Sequence, residues 1–302
     1  MEHKSAFISI VGRPNTGKST LINALVGEKV AITSHHPNTT RHAIRGILSE
    51  DDFQLIFLDT PGLHKAKTPL GTALNRVVDE SITDVDIVIQ CIPAVEKVGD
   101  GDLYIARQLA GNSSIRRICV LTMIDMIGKT ELPKQLMAIS ELAKKAGFEW
   151  DEIIPVSAFT DTQIQLLIDL LVKHSKVGPA FYPKDMKSDQ ELEKTISELI
   201  RESAIAGLFE EVPHSVAVVI DEMSEREDKK IFDIHASVIV ERDSQKAILI
   251  GKGGENLKIV GTKARTEIEK KVGMKVFLKL HVKVISNWQK DPKSLQKLGL
   301  VE

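Results

Sequence analysis

The chain has 302 residues, of which 42% are hydrophobic and 4% aromatic, long enough for two domains with real cores. Its formal net charge of −2 excludes a uniformly basic or acidic binding protein, and its two cysteines exclude a disulfide-stapled scaffold. No window reaches the roughly 18 uncharged apolar residues of a membrane span, and the first residues lack the regions of a signal peptide, so a cytoplasmic protein is expected. Cys91 and Cys119 lie in apolar runs, "VDIVIQCI" and "RICVLT", and read as reduced core residues.

The near-neutral total hides an asymmetry. Residues 231–302 hold 14 Lys and Arg against 8 Asp and Glu, which leaves 26 basic and 34 acidic side chains for the rest. A basic end on an acidic body suggests a polyanionic partner for that end, and a merely solvated lysine-rich surface is the plainer alternative.

Along residues 1–175, short β-branched strands alternate with helical segments. "AFISIVG" (6–12), "AIRGILS" (43–49), "FQLIFLD" (53–59), "VDIVIQCI" (85–92), "RICVLTMI" (117–124) and "EIIPVS" (152–157) read as strands. Helices are predicted at 18–27, 70–82, 101–110, 131–146 and 162–174. This order implies an α/β domain with a doubly wound, mostly parallel sheet. Only 43–49 and 53–59 are close enough for an antiparallel hairpin. A Gly/Pro/Lys stretch over 176–190 reads as a linker. A helix at 191–208, strands at 214–222 and 231–242, a helical pair over 245–272 and a strand at 275–285 then describe a small α+β domain, 191–290. Residues 291–302 are left as a tail.

The first strand runs into Gly12, Arg13, Pro14, Asn15, Thr16, Gly17, Lys18, Ser19 and Thr20, a G-x-x-x-x-G-K-[ST] loop between strand and helix. Glycines let the backbone wrap phosphates, with amide groups and the helix dipole aimed at the anion. Lys18 is expected to reach the β/γ-phosphates and the Ser19 hydroxyl to ligate Mg²⁺. "FQLIFLDTPG" ends a strand in Asp59, followed by Thr60, Pro61 and Gly62. There Asp59 suits the Mg²⁺ shell, and the Gly62 amide suits a γ-phosphate. Between them "HHPNTTRH" offers Thr39 or Thr40 as a further Mg²⁺ ligand, Thr40 being the one assigned, and His35, His36 and His42 read as solvent-facing. Lys18, Thr40 and Gly62 are the expected catalytic groups.

These segments, with "PVSA", "EEVPHSVAVVI", "VERDSQKAILIGKGGENLK" and "GTKARTEIEK", resemble the Era family of GTPases over nearly the whole chain. The resemblance implies a GTPase domain at 1–175, using GTP/GDP and Mg²⁺, and a type II KH domain at 191–290. It further implies binding to the 3′ end of small-subunit ribosomal RNA and a part in small-subunit assembly, with some of the protein peripheral at the inner membrane face; a monomer is expected. The tail supports the RNA reading in its own right. Gly251, Lys252, Gly253 and Gly254 form a GXXG loop between helical segments, the device that clamps a nucleic-acid backbone. The following helix turns Lys258, Lys263 and Arg265 outward.

Two departures stand out. Leu63 follows the DTPG run where Ras-like enzymes carry a water-orienting glutamine, so hydrolysis is expected to be slow, with K⁺ held by Asn15 as one aid that some relatives use. The guanine motif, usually Asn-Lys-x-Asp, is here Thr122, Met123, Ile124 and Asp125. Asp125 is expected to read the base, and Ser157 and Ala158 to approach its 6-oxygen through backbone. Two rivals stand against a GTP switch. An ATP-dependent kinase would carry substrate-phosphate arginines and a lid, which the sequence lacks. A pseudo-GTPase would hold RNA without turnover.

Overall fold

The structure, a computed structural model, describes residues 2–33, 44–62, 69–111, 115–206, 215–226 and 230–298. The chain divides into two units, the first carried chiefly by residues up to Asp189 and the second by residues from Gln190.

The first unit contains β1 (Lys4–Val11), α1 (Lys18–Val26), β2 (Ile44–Ser49), β3 (Phe53–Asp59), α2 (Pro69–Thr83), β4 (Ile87–Pro93), α3 (Asp100–Ala110), β5 (Arg116–Thr122), α4 (Leu132–Ala146), β6 (Glu152–Pro155), α5 (Ile164–His174) and β7 (Lys176–Val177). Its sheet runs β2-β3-β1-β4-β5-β6, parallel along this path except for the β2–β3 hairpin, with β7 added antiparallel to β1. This is the expected doubly wound sheet, with apolar strands covered on both faces. One face packs Ile8, Ile10 and Ile89 against Leu21, Ile22 and Leu25 of α1 and Leu167 and Leu171 of α5. On the other, Cys119 and Leu121 meet Ile139 and Leu142 of α4. Each such fully buried side chain contributes about 1.5–3 kcal/mol. Cys91 and Cys119 are both free and buried, in clusters on opposite faces of the sheet.

The stretch read as a linker is instead bound to this unit up to Asp189. β7 pairs antiparallel with the start of β1, and the Phe181 ring lies 5.1 Å from that of Phe7. The cause is Gln54, only 1% exposed in β3. Its Oε1 accepts from the amides of Phe181 and Tyr182 at 2.7 and 3.0 Å, and its Nε2 donates to the Tyr182 carbonyl at 2.8 Å. A side-chain amide thus stands in for a missing strand partner.

The second unit holds α6 (Leu192–Ile205), β8 (Ala217–Arg226), β9 (Ile231–Val240), α7 (Asp243–Ile250), α8 (Glu255–Val272), β10 (Lys275–Val284) and α9 (Pro292–Lys297). Its sheet runs β10-β9-β8, with β9 and β10 parallel and β8 antiparallel to β9. This is the predicted α+β order. Ile196 and Ile200 of α6 and Val260, Ala264 and Ile268 of α8 pack on Ile234, Ala236 and Val238 of β9. The residues read as a tail include a short helix with Leu295 buried, and the Trp288 indole just before it is fully buried and donates to the Ser215 carbonyl at 3.2 Å.

Candidate nucleotide site and nucleic-acid interface

In a parallel sheet the loops that can meet a ligand lie beyond the carboxyl ends of the strands. There the first unit gathers the loops after β1, β3, β5 and β6. Register carries them together: Ile10 pairs with Asp59, and Leu121 with Pro155.

The phosphate loop turns through Asn15 and Gly17, at φ 63° and 84°. Asparagine and glycine tolerate this left-handed backbone best. Lys18 starts α1 and is 6% exposed; its Nζ donates to the carbonyls of Arg13 at 2.9 Å and Gly12 at 3.3 Å. Burial pushes its ammonium below the usual lysine range, opposed by the charge of Asp59. The Thr16 hydroxyl donates to the Arg13 carbonyl at 3.0 Å, while Thr20 is exposed in the first turn of α1.

Ser19 donates its hydroxyl to Asp59 Oδ2 at 2.8 Å. A hydroxyl and a carboxylate set together beside a phosphate loop are the hard oxygen donors that Mg²⁺ takes, one or two from protein and the rest from water and phosphate. The residues fit that ion. Thr60 donates to the Ile10 carbonyl at 2.7 Å and fixes the loop after β3 against β1. Beyond Pro61, Gly62 lies so close to the phosphate loop that a Cβ on it would stand 2.6 Å from the Pro14 nitrogen. Thr39 and Thr40, with the three neighbouring histidines, and Leu63 lie outside the described residues.

The guanine loop is tied in by Thr122. Its hydroxyl donates to the Thr16 carbonyl at 2.8 Å. Met123 has a left-handed backbone, φ 60°, and its Cε would lie 3.5 Å from a Cβ built on Gly17, so its side chain spans towards the phosphate loop. Ile124 and Asp125 sit in a short 3₁₀ turn with the Asp125 side chain exposed. The Ile124 amide donates to the Val156 carbonyl at 3.4 Å, joining this loop to the one after β6. There Ser157 is buried and exchanges backbone hydrogen bonds with Thr162, and its hydroxyl accepts from the Thr160 amide at 3.1 Å. Ala158 is thereby presented on a closed turn.

Sequence reasoning missed the clamp on Arg13. Its Nε donates to Asp102 Oδ1 at 2.8 Å, and a second nitrogen lies 2.8 Å from Glu96 Oε2. These acids outweigh partial burial and raise the guanidinium pKa. Asp102, fully buried, also accepts from the Gly99 amide at 3.0 Å. The acidic "GDGD" start of α3 was the available signal.

In the second unit, Gly251, Lys252, Gly253 and Gly254 join α7 to α8, with φ 71°, 63° and 84° at the three glycines. A Cβ on Gly251 would meet Asn256 Cγ at 2.7 Å, and Asn256 in turn donates to the Ile248 carbonyl at 2.8 Å. Around Gly253 and Gly254 a Cβ would meet nothing within 4 Å, and Lys252, Lys258, Lys263 and Arg265 are all exposed. The loop is curved by its glycines and open on its outer side, with cations along the next helix.

Comparison with known proteins agrees with this geometry. A family model described as 50S ribosome-binding GTPase matches residues 7–144, and one described as KH domain matches 211–289. The chain is 52% identical to GTPase Era of Mycobacterium tuberculosis over 301 residues, covering 99% of each chain. It is 51% identical to GTPase Era of Streptomyces coelicolor, over 98% of this chain and 95% of that one. The crystal structure of Era in complex with MgGDPNP and nucleotides 1506–1542 of 16S ribosomal RNA superimposes with a TM-score of 0.94 at 33% identity, covering 99% of this chain and 100% of that one. A point variant of Aquifex aeolicus Era bound to GDP·AlF4⁻ gives 0.93 at 32% identity, with the same coverage. With its phosphate loop, its retained Asp125 and its GXXG loop set on this two-unit frame, the chain belongs to the Era family of GTPases.

Proposed function

We propose that this GTPase is a slowly hydrolysing switch that binds the 3′ end of 16S ribosomal RNA through its KH domain and acts in small ribosomal subunit assembly. The observation that carries the reading is the pairing, in one chain, of the Lys18–Ser19–Asp59 site with the open glycine loop at 251–254. Likeness to the Era complex with MgGDPNP and 16S RNA supports both halves.

In this reading the loop amides and Lys18 hold the β/γ-phosphates, and Ser19, Thr40 and Asp59 hold Mg²⁺, which neutralises phosphate charge when bound. Asp125 accepts from guanine N1–H and the 2-amino group, and the Ala158 amide meets the 6-oxygen. Gly62 offers its amide to the γ-phosphate. Leu63 cannot polarise water, so turnover is slow, and Asn15 is the group that would hold K⁺. Lys252, Lys258, Lys263 and Arg265 meet RNA phosphates beside the GXXG loop. Any contact with the membrane is peripheral, consistent with the absence of a long apolar helix among the described residues.

The test is the affinity of the intact protein for RNA corresponding to 16S nucleotides 1506–1542, with GDP and with a GTP analogue. Tighter binding in one nucleotide state supports a switch. Equal affinity in both, with no hydrolysis in a single-turnover assay with K⁺ and RNA, would leave a pseudo-GTPase scaffold in its place.

A further inference from the structure

In the second unit α6 and α8 pack on the sheet face that carries Ile234, Ala236 and Val238, and on the opposite face Ser237 and Ile239 of β9 are buried too. Along β10, Val276 joins the core while Lys275, Phe277, Lys279, His281 and Lys283 alternate to the opposite face and are all exposed. They form one row with a spacing of about 6.8 Å, on an edge strand. The lysines here are separate from those beside the GXXG loop.

The acids on this face are largely occupied. Asp233 pairs with Arg226, Asp221 accepts from Ser237 at 2.6 Å and lies 3.3 Å from Lys283, and Glu222 lies 3.8 Å from His235. Lys279 has no ion partner among the described residues, and Lys275 meets Glu269 only at 3.6 Å. Positive charge is therefore concentrated on the β10 edge. Between Lys275 and Lys279 in the row, Phe277 is 48% exposed, with the Arg226 guanidinium 5.7 Å from its ring.

We infer that this sheet face is a second RNA surface, taking the phosphate backbone along β10 and an unstacked base against Phe277. A line of lysines calls for a polyanion, and a solvent-facing ring set between two of them calls for one that carries bases. A bilayer surface would instead favour a cluster of apolar side chains, and Phe277 is the single large apolar side chain in the row. The helices that flank the GXXG loop both pack on β10. A strand leaving that loop can therefore round the edge of the sheet and reach the row. The inference rests on the RNA reading of the loop and extends its footprint.

The experiment uses the intact chain and two RNAs: one corresponding to 16S nucleotides 1506–1542, and one of about four nucleotides that fills the GXXG loop alone. Phe277→Ala with Lys279→Gln is expected to weaken the long RNA by about tenfold and to flatten its salt dependence by roughly 0.7 for the lysine removed. The short RNA and GTP should bind as before, and Phe277→Tyr with Lys279→Arg should restore the long-RNA affinity. Lys279→Gln alone changes only an exposed side chain and repeats the salt test without altered packing. Unchanged long-RNA affinity and slope would overturn the inference. So would equal weakening of both RNAs, or a loss confined to phosphatidylserine vesicles. Gly253→Asp separates the two readings: it should weaken both RNAs, and if it weakens neither, the loop reading fails whatever β10 does.

Discussion

The Thr122 hydroxyl donates to the Thr16 carbonyl across 2.8 Å, joining the guanine loop to the phosphate loop where the usual motif has a longer asparagine. Thr122→Val keeps the shape and removes the donor, leaving a buried carbonyl short of a partner at a cost of about 1–2 kcal/mol. GDP affinity should fall by about 5–30-fold, measured by titration. An unchanged affinity would mean the two loops are held by other contacts.

Asp125 is exposed at the turn, suitably placed to accept from a base edge. The protein should prefer GTP over ATP by at least roughly a hundredfold, because adenine would set a lone pair against the carboxylate. Asp125→Asn should move preference towards xanthosine triphosphate. Met123→Lys should tighten GTP binding without changing base choice. Competition between labelled GTP and each nucleotide checks all three.

Gly62 touches Pro14 through backbone, 2.6 Å from nitrogen and 2.8 Å from Cα for an added Cβ, and backbone cannot step aside as a side chain can. Gly62→Ala should force the segment after β3 away from the phosphate loop at about 1–3 kcal/mol. Binding of a GTP analogue should weaken while GDP binding holds. Equal loss for both nucleotides would place the damage in the β-phosphate site instead.

Arg13→Gln removes the cation from fully buried Asp102. The Gly99 amide still serves that carboxylate, so the loss should be about 2–3 kcal/mol, below that of a wholly buried pair. Denaturant unfolding of the GTPase unit should show it, and Asp102→Asn in addition should recover part of it.

Burial pushes the Cys91 thiol up to about 12 and the Cys119 thiol well above its ordinary value. At pH 8 both are protonated and inaccessible, so a thiol reagent should label neither in the folded protein and both in denaturant. Rapid labelling of the native protein would show that the strands carrying them open readily.

Much of the first unit was legible because its strands are apolar on both faces and its helices are bounded by plain signals, such as Gly27 and Gly147 with left-handed backbone at the ends of α1 and α4. The phosphate site was legible because its chemistry is local, nine consecutive residues and a strand end. The Arg13 clamp was not, since its meaning depends on Asp102 folding back across more than eighty positions of sequence. The packing of 176–189 was hidden for a similar reason. Its Gly/Pro/Lys composition describes the segment alone, while its order comes from the Gln54 amide on another strand. In the KH domain, periodicity revealed the helices, but β8 ends at Arg226, beyond the expected 222, because its pairing with β9 resumes after a bulge between Ile220 and Glu222.

The fully buried Trp288 makes the end of the KH domain a plug. A short helix follows it, which Asp291 caps by accepting from the Ser294 amide at 3.1 Å. A chain cut before residue 287 would leave a hole of indole size and strip a partner from the Ser215 carbonyl, whereas one cut after Leu298 would keep both. Proteases and expression boundaries should therefore divide sharply at this helix, sparing RNA binding on one side of it and destroying it on the other.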